Sequence, residues 1–499
     1  MMKGKRKISL LLAFALLLSV CAAAAAADFD VDAYLAEREK LLVRDWVDSD
    51  LSDQERAVDA LLLSMKQEAD SLYTGEYGYG LIAGGVSEAV ESDLYAFCRA
   101  LPKGGDLHVH DCTMIPFDTL LDLLIDYPGT FICLEEGAQY ANLYVSGSNM
   151  PENTVSLKQA LEDGSVTRDK IREAYRLHAG MTPRQAWDQF SVFFTKLGGL
   201  KSEQDMVEQI YTAGFQSCVD NGILLVELKL WFTVNDDTNR ALLNTVKNAY
   251  FTVKKDNPAF TVRVIGSNNK RDIYPFEEAI DGLRSAIRLS REIMDDFDPM
   301  SVYPFIIGLD LAGEEDAGRP MSDYAEFFMS DEVLGSGLQL FLHCGESLRF
   351  DNDSVLDAFL FGAQRLGHAF NLYRYPKVQE LLAERGTAIE VCPVSNCLLG
   401  YAHDLRLHPG QNYFHEKIPI VLCSDDALYL EDDPLTEDYF AVILAWDLSI
   451  AEIRALSENA ILYSGLTPVE INALHAEWQA QWDAFIKEWS QKNDLQNAA

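Results

Sequence analysis

The chain has 499 residues, 48% of them hydrophobic, enough for one large core or several smaller ones. Its formal charge of −37 at pH 7 excludes a surface built for nucleic acid or anionic membrane, and it disfavours a highly phosphorylated substrate unless a local basic pocket holds one. Nine cysteines are too few to staple a chain of this length with disulfides.

Lys3, Lys5, Arg6 and Lys7 precede an uncharged run from Ile8 to Ala27 that ends in an alanine tract. A basic head, an apolar middle and small residues at the end describe a secretory signal peptide over residues 1–27, cleaved near Ala27. An uncleaved anchor is the alternative, since about 20 apolar residues span a bilayer. Lipid attachment at Cys21 fits less well, because valine precedes it. Export predicts a secreted protein, extracellular or periplasmic.

Residues 28–100 read as an N-terminal helical extension and a candidate homodimer element. Ser52 and Glu55 form a capping-box signature, and Val58, Leu61, Leu62 and Met65 follow at helical spacing. The Gly-rich "YTGEYGYGLIAGG" is the expected joint to the remaining domain, residues 101–499.

Eight short runs rich in β-branched residues then alternate with helical stretches. They lie at 106–110, 223–230, 261–267, 305–313, 340–346, 365–370, 387–393 and 419–426. Such alternation predicts parallel βαβ units, and eight of them predict an α/β fold of the (β/α)8 TIM-type barrel class. An open doubly wound sheet is disfavoured, because no Gly-rich phosphate fingerprint follows the first run. The first connection, residues 111–222, is far longer than a crossover needs and is expected to fold as helices over the barrel mouth. Cys112, Cys344, Cys392, Cys397 and Cys423 lie beside the strand runs and read as small core residues. "EWQAQWDAFIKEW" is an amphipathic closing helix.

Barrel chemistry gathers at the C-terminal strand ends, and there the polar residues collect. His108 and His110 end the first strand and share one face, as i and i+2 do. His343 and Glu346 belong to the fifth strand, His368 to the sixth, Asp425 and Asp426 to the eighth. Three histidines and one carboxylate suit Zn²⁺ with a position left open for water. Asp310, two residues short of the fourth strand's end, gives no second site, so one metal is expected. His178, His403, His408, His415 and His475 fall outside this pattern and read as surface or cap residues.

The blocks "LPKGGDLHVHD", "GLDLAGEE", "LHCGES", "RLGHAF", "EVCPVSN" and "LCSDDA" together resemble the adenosine deaminase family of metal-dependent hydrolases. "AWDQF", "FTKLGGL" and the helical extension look closest to its secreted, growth-factor-related branch, ADGF. The resemblance covers most of residues 30–490. It implies one Zn²⁺ per chain held by His108, His110, His343 and Asp425. Asp425 also serves the chemistry. Glu346 would protonate a ring nitrogen of the purine, and His368 would orient the attacking water. Asp426 would bind the imidazole half of the purine, and backbone at Gly313 would approach the pyrimidine half. Asp111 would lie near the ribose hydroxyls, with a helix N-cap as its alternative. Trp187 would wall the nucleoside pocket or pack in the core, and Asp310 would support the site from behind.

The implied reaction is hydrolytic deamination of adenosine or 2′-deoxyadenosine to the inosine product and ammonia. Alternatives are a related aminohydrolase acting on adenine, a modified adenosine or AMP, or a secreted nucleoside-binding or signalling protein without turnover. Cys344, Ala369 and Ala427 depart from the family's usual residues, and a methyl at 369 threatens to crowd the pocket. Residues 133–180 hold one cysteine, which argues against a disulfide-stapled insertion there.

Overall fold

The computed structural model describes residues 30–498 apart from 43, 49, 74–89, 138 and 202. The expected signal segment and nearly all of the Gly-rich joint lie outside the described residues. The chain divides between Asp45 and Trp46. The first unit holds helix Val31–Lys40. The second unit, from Trp46 onward, contains everything described below.

The strands in chain order are β1 (Gly104–His110), β2 (Thr130–Cys133), β3 (Leu143–Val145), β4 (Thr154–Ser156), β5 (Ile223–Trp231), β6 (Thr261–Asn269), β7 (Met294–Asp295), β8 (Tyr303–Pro304), β9 (Ile306–Ala312), β10 (Gln339–Cys344), β11 (Arg365–His368), β12 (Ala388–Val391) and β13 (Ile420–Leu422). Eight of these form one parallel sheet in the order β1-β5-β6-β9-β10-β11-β12-β13. Val109 pairs with Asp425, just past β13, so the sheet's first and last strands meet. The Asp425 N–H donates to the His108 carbonyl at 2.9 Å, and the His110 N–H donates to the Asp425 carbonyl at 3.2 Å. This is the (β/α)8 barrel. Helices such as Asp236–Asp256 and Phe276–Leu289 cover its outside, so strands like β5 are buried on both faces and read as continuous apolar runs. Gly104 opens β1 at φ +75°, and a Cβ there would stand 2.3 Å from the Ser457 carbonyl oxygen. Only glycine lets the last barrel helix approach so closely.

Helix Asp53–Tyr73 starts at the capping box read from sequence. The Ser52 N–H donates to Glu55 at 2.9 Å, and the Glu55 N–H donates to Ser52 Oγ at 3.2 Å. Its buried Val58, Leu61, Leu62 and Met65 belong to the core, and the helix packs against the C-terminal helix Pro468–Ala498. Trp482 of that helix donates its indole N–H to Glu55.

Residues 111–222 differ from the all-helical expectation. Besides helices Phe117–Asp126, Leu157–Glu162, Arg168–Glu173, Pro183–Lys196 and Gln204–Asp220, they contain the antiparallel sheet β3-β2-β4. Strands of three or four residues are too short to show an alternating pattern. The eight cysteines among the described residues are all buried and unpaired with one another.

Candidate active site

The polar strand ends converge on one cavity of about 500 Å³ at the barrel mouth. β1 delivers His108 and His110, β10 delivers His343, and the residues after β13 deliver Asp425 and Asp426. His110 Nε2 stands 3.1 Å from both His108 Nε2 and His343 Nε2, and 3.4 Å from Asp425 Oδ1. His108 Nε2 lies 3.8 Å from the same oxygen.

The outer faces of two imidazoles fix which nitrogen is bare. His108 Nδ1 donates to Glu390 Oε2 at 2.7 Å, and His343 Nδ1 donates to Asp310 Oδ2 at 2.8 Å. Their Nε2 lone pairs therefore face inward beside His110 Nε2 and a carboxylate oxygen. Inward lone pairs and a carboxylate oxygen gathered around His110 Nε2 make a donor set that a cation at the centre would satisfy. Spacings of 3.1–3.8 Å bracket the edge, about 3.3 Å, of a tetrahedron with metal–ligand bonds of about 2.0–2.1 Å. The donor set thus fits Zn²⁺. An overlapping group adds His368 and Cys392 to His108 and Asp425. Burial pushes the Cys392 thiol well above its ordinary range, and a protonated thiol is a poor ligand beside neutral imidazoles.

Burial sets the electrostatics. It pulls His110 down to about 4 and holds His108 and His368 well below the usual imidazole range, with neighbouring Lys229 and His343 adding to the effect. Neutral imidazole is the ligand form. Burial and then the Asp425 carboxylate push Glu346 and Asp426 well above the carboxylate range. Glu346 Oε1 and Asp426 Oδ1 have no hydrogen-bond partner, although both residues are at most 3% exposed. Both line the cavity, so a ligand in it can satisfy them.

Asp310 holds His343 from behind, and the ten other residues singled out from sequence are all at the site. His110, His343, Glu346, His368, Asp425, Asp426, Asp111, Trp187 and Gly313 line the cavity, and fully buried His108 stands behind them. Gly313 has φ +98°, and a Cβ there would stand 2.3 Å from Asn269 Oδ1. Asp111 is not free. It accepts from Lys201 Nζ at 2.5 Å and from the Tyr211 hydroxyl. Burial pushes its pKa up, but the Lys201 ammonium holds it below the ordinary value. Trp187 is both a wall and a core residue, 7% exposed, with its indole N–H donated to the Tyr401 hydroxyl at 2.8 Å. Ala369 does not line the cavity; it is buried behind His368, so its methyl crowds nothing there. Asp111, His368, Ala369 and Asp425 all have positive φ, between 43° and 61°. Left-handed backbone at non-glycine residues costs about 1–3 kcal/mol each and clusters at functional sites.

Sequence reading missed the layer beneath. Glu390 accepts from Arg365 Nε at 2.8 Å and pairs with Lys229 Nζ at 3.2 Å while holding His108. Lys229 reaches Asp310 at 3.6 Å, and Arg365 also binds Glu227. Each is a charge inside an otherwise apolar strand, which is the signal that marks them. The aromatic wall of Phe190, Phe194, Trp231 and Tyr274 also went unread. His408, grouped with surface or cap residues, caps helix Pro409–His415 and is 2% exposed.

The adenosine deaminase family pattern matches residues 294–478, which carry β7 to β13 and five of the site's side chains. The chain is 28% identical to an adenosine deaminase of Lutzomyia longipalpis over 486 residues, covering 91% of this chain and 92% of that one. It is 25% identical to adenosine deaminase 2-A of Danio rerio, covering 88% and 90%. Residues 294–478 thus carry an adenosine deaminase domain, and most of the chain's length is similar to adenosine deaminases. Its fold is shared by a zinc-bound amidohydrolase from Burkholderia ambifaria at a TM-score of 0.54 and 16% identity, with 83% of this chain and 99% of that one covered.

Proposed function

We propose that this chain is a secreted, zinc-dependent adenosine deaminase that acts on adenosine and 2′-deoxyadenosine. The observation carrying the reading is one cavity in which three imidazole Nε2 atoms, Asp425 and two buried carboxyls, each with one unpartnered oxygen, meet. His108, His110, His343 and Asp425 would hold one ion per chain. Bound there, zinc supplies Lewis acidity that lets water act as a nucleophile near neutral pH.

His368 directs its Nε2 into the site, 3.7 Å from Glu346 and 4.0 Å from Asp425, and orients the attacking water. Asp425 takes the proton that the water gives up. Glu346, kept protonated by burial, donates to the purine ring nitrogen so that the ring carbon can accept the new bond. The amine accepts the transferred proton and leaves as ammonia, and the remaining water proton restores Glu346. Asp426, kept protonated by burial and the Asp425 carboxylate, donates a hydrogen bond to the bare nitrogen of the purine's imidazole half. Backbone at Gly313 meets the pyrimidine half, and Trp187 walls the nucleoside. The Lys201 and Tyr211 bonds hold Asp111 in place to accept from a ribose hydroxyl.

Names of relatives from Lutzomyia longipalpis and Danio rerio support the substrate, and the zinc-bound neighbour supports the ion. The basic, apolar and small-residue order of residues 1–27 supports export. No described helix is long and apolar enough to cross a membrane. The test pairs a zinc assay with product analysis on the purified chain. About one equivalent of zinc, with inosine and ammonia formed from adenosine, is expected. Zinc-loaded protein that ignores adenosine but converts adenine or AMP would sink the substrate assignment.

A further inference from the structure

His368 stands beside the metal ligands, its ring centroid 4.8 Å from that of His108 and 5.2 Å from that of His343. Whether it coordinates or donates a hydrogen bond depends on which ring nitrogen carries its proton. We propose that a buried relay from the Gly410 amide through His408 and Asn396 fixes that choice, making His408 and Asn396 positioning residues for the reaction. The proposal rests on the functional reading above.

The relay starts at a group of fixed polarity. The Gly410 backbone N–H points at His408 Nδ1 at 3.0 Å. A backbone N–H can only donate, so Nδ1 is bare and the His408 proton resides on Nε2. That nitrogen lies 3.0 Å from Asn396 Oδ1 and donates to it. The Asn396 amide is thereby oriented, with its NH2 on the far side, 3.3 Å from His368 Nδ1. An amide nitrogen also only donates, so His368 Nδ1 is an acceptor and its hydrogen is on Nε2. Nε2 is the atom that faces Glu346 and Asp425.

His368 is therefore a donor into the site and not a metal ligand, although it is the fourth imidazole of the cluster. His408, Asn396 and His368 are all at most 2% exposed, so no solvent competes for these bonds. The relay begins 12 residues from Asn396 in sequence, at the N-cap of a short helix whose His408 does not itself line the cavity. Nothing about His408 in sequence marks it as part of the site.

The test is long-range 1H–15N spectroscopy on the full chain labelled at histidine, with His368 assigned through His368→Gln. In the wild type, His368 Nδ1 is expected at an unprotonated shift and Nε2 at a protonated one. Asn396→Asp presents only acceptors, so it draws a proton onto His368 Nδ1 and inverts the pattern. Its kcat on adenosine should fall about 100-fold, the scale of a misdirected proton-transfer partner, with KM within about threefold of wild type. His408→Gln keeps a donor toward Asn396 and should retain the wild-type His368 pattern and kcat to within about threefold. A protonated Nδ1 on His368 in the wild type overturns the relay, whether or not the variants fold. So does an Asn396→Asp protein with unchanged spectrum and turnover. A wild type with the expected spectrum but no action on adenosine supports the relay and overturns the functional reading instead.

Discussion

Replacing His408 with glutamine should make the protein less sensitive to acid. His408 is 2% exposed, and burial holds its pKa down to about 3. In the unfolded chain the same imidazole titrates near 6.5. Between those values the unfolded chain binds a proton that the folded chain refuses, so stability falls as pH drops through that window. Each pH unit is worth about 1.4 kcal/mol. From pH 6.5 to pH 5.0 the wild type therefore loses about 2 kcal/mol through this residue alone. Glutamine can donate to Asn396 and accept from Gly410 but cannot bind the proton. Urea unfolding at pH 7.5 and pH 5.0 reads the difference, and both conditions stay above the pI of about 4.5. Protonation of the metal ligands lowers stability equally in the two proteins and cancels. Whatever the variant costs at pH 7.5, the gap between the proteins should shift by about 2 kcal/mol in its favour at pH 5.0. Stability curves that stay parallel to within about 0.5 kcal/mol would refute the reasoning.

Glu346→Gln should lower kcat about 100-fold or more while zinc content is unchanged, because the amide keeps the volume but cannot deliver the proton; a metal assay beside steady-state kinetics checks both halves. Asp310→Asn removes the carboxylate that His343 Nδ1 donates to at 2.8 Å, and competition with a chromogenic chelator should show zinc affinity about 10- to 100-fold weaker. Gly104→Ala combines left-handed backbone with a methyl 2.3 Å from the Ser457 oxygen. Together these should cost about 2–5 kcal/mol, seen as a lower melting temperature. Removing zinc with a strong chelator should lower Tm in a way that added zinc reverses, whereas an unchanged Tm would mean that the cage stands without an ion.

Much of this site was legible because barrel physics puts chemistry at strand ends, where His108, His110, His343, His368 and the Asp425–Asp426 pair break the apolar pattern. Eight strand runs spaced by helical stretches predicted the barrel for the same reason. Features without a local pattern stayed hidden. β2, β3 and β4 form a sheet only through pairing with one another, and strands of three or four residues carry no readable period. Glu390, Lys229 and Arg365 look like isolated charges until the barrel closes around them and makes each the partner of the next. His408 was unreadable as part of the site because its influence passes through one asparagine amide.

The barrel's circumference is fastened at Val109 and Asp425, beside the atoms that converge to coordinate an ion. One residue thus serves both the closure and the candidate metal site: its main chain ties the last strand to the first while its carboxylate faces the imidazoles. On the proposed zinc site, losing the ion would free that side chain where a single bridge closes the barrel. Hydrogen exchange at the His110 and Asp425 amides should quicken first, before the distant staves between β5 and β9 register any change. On that reading, occupancy of the mouth and closure of the wall are coupled through Asp425.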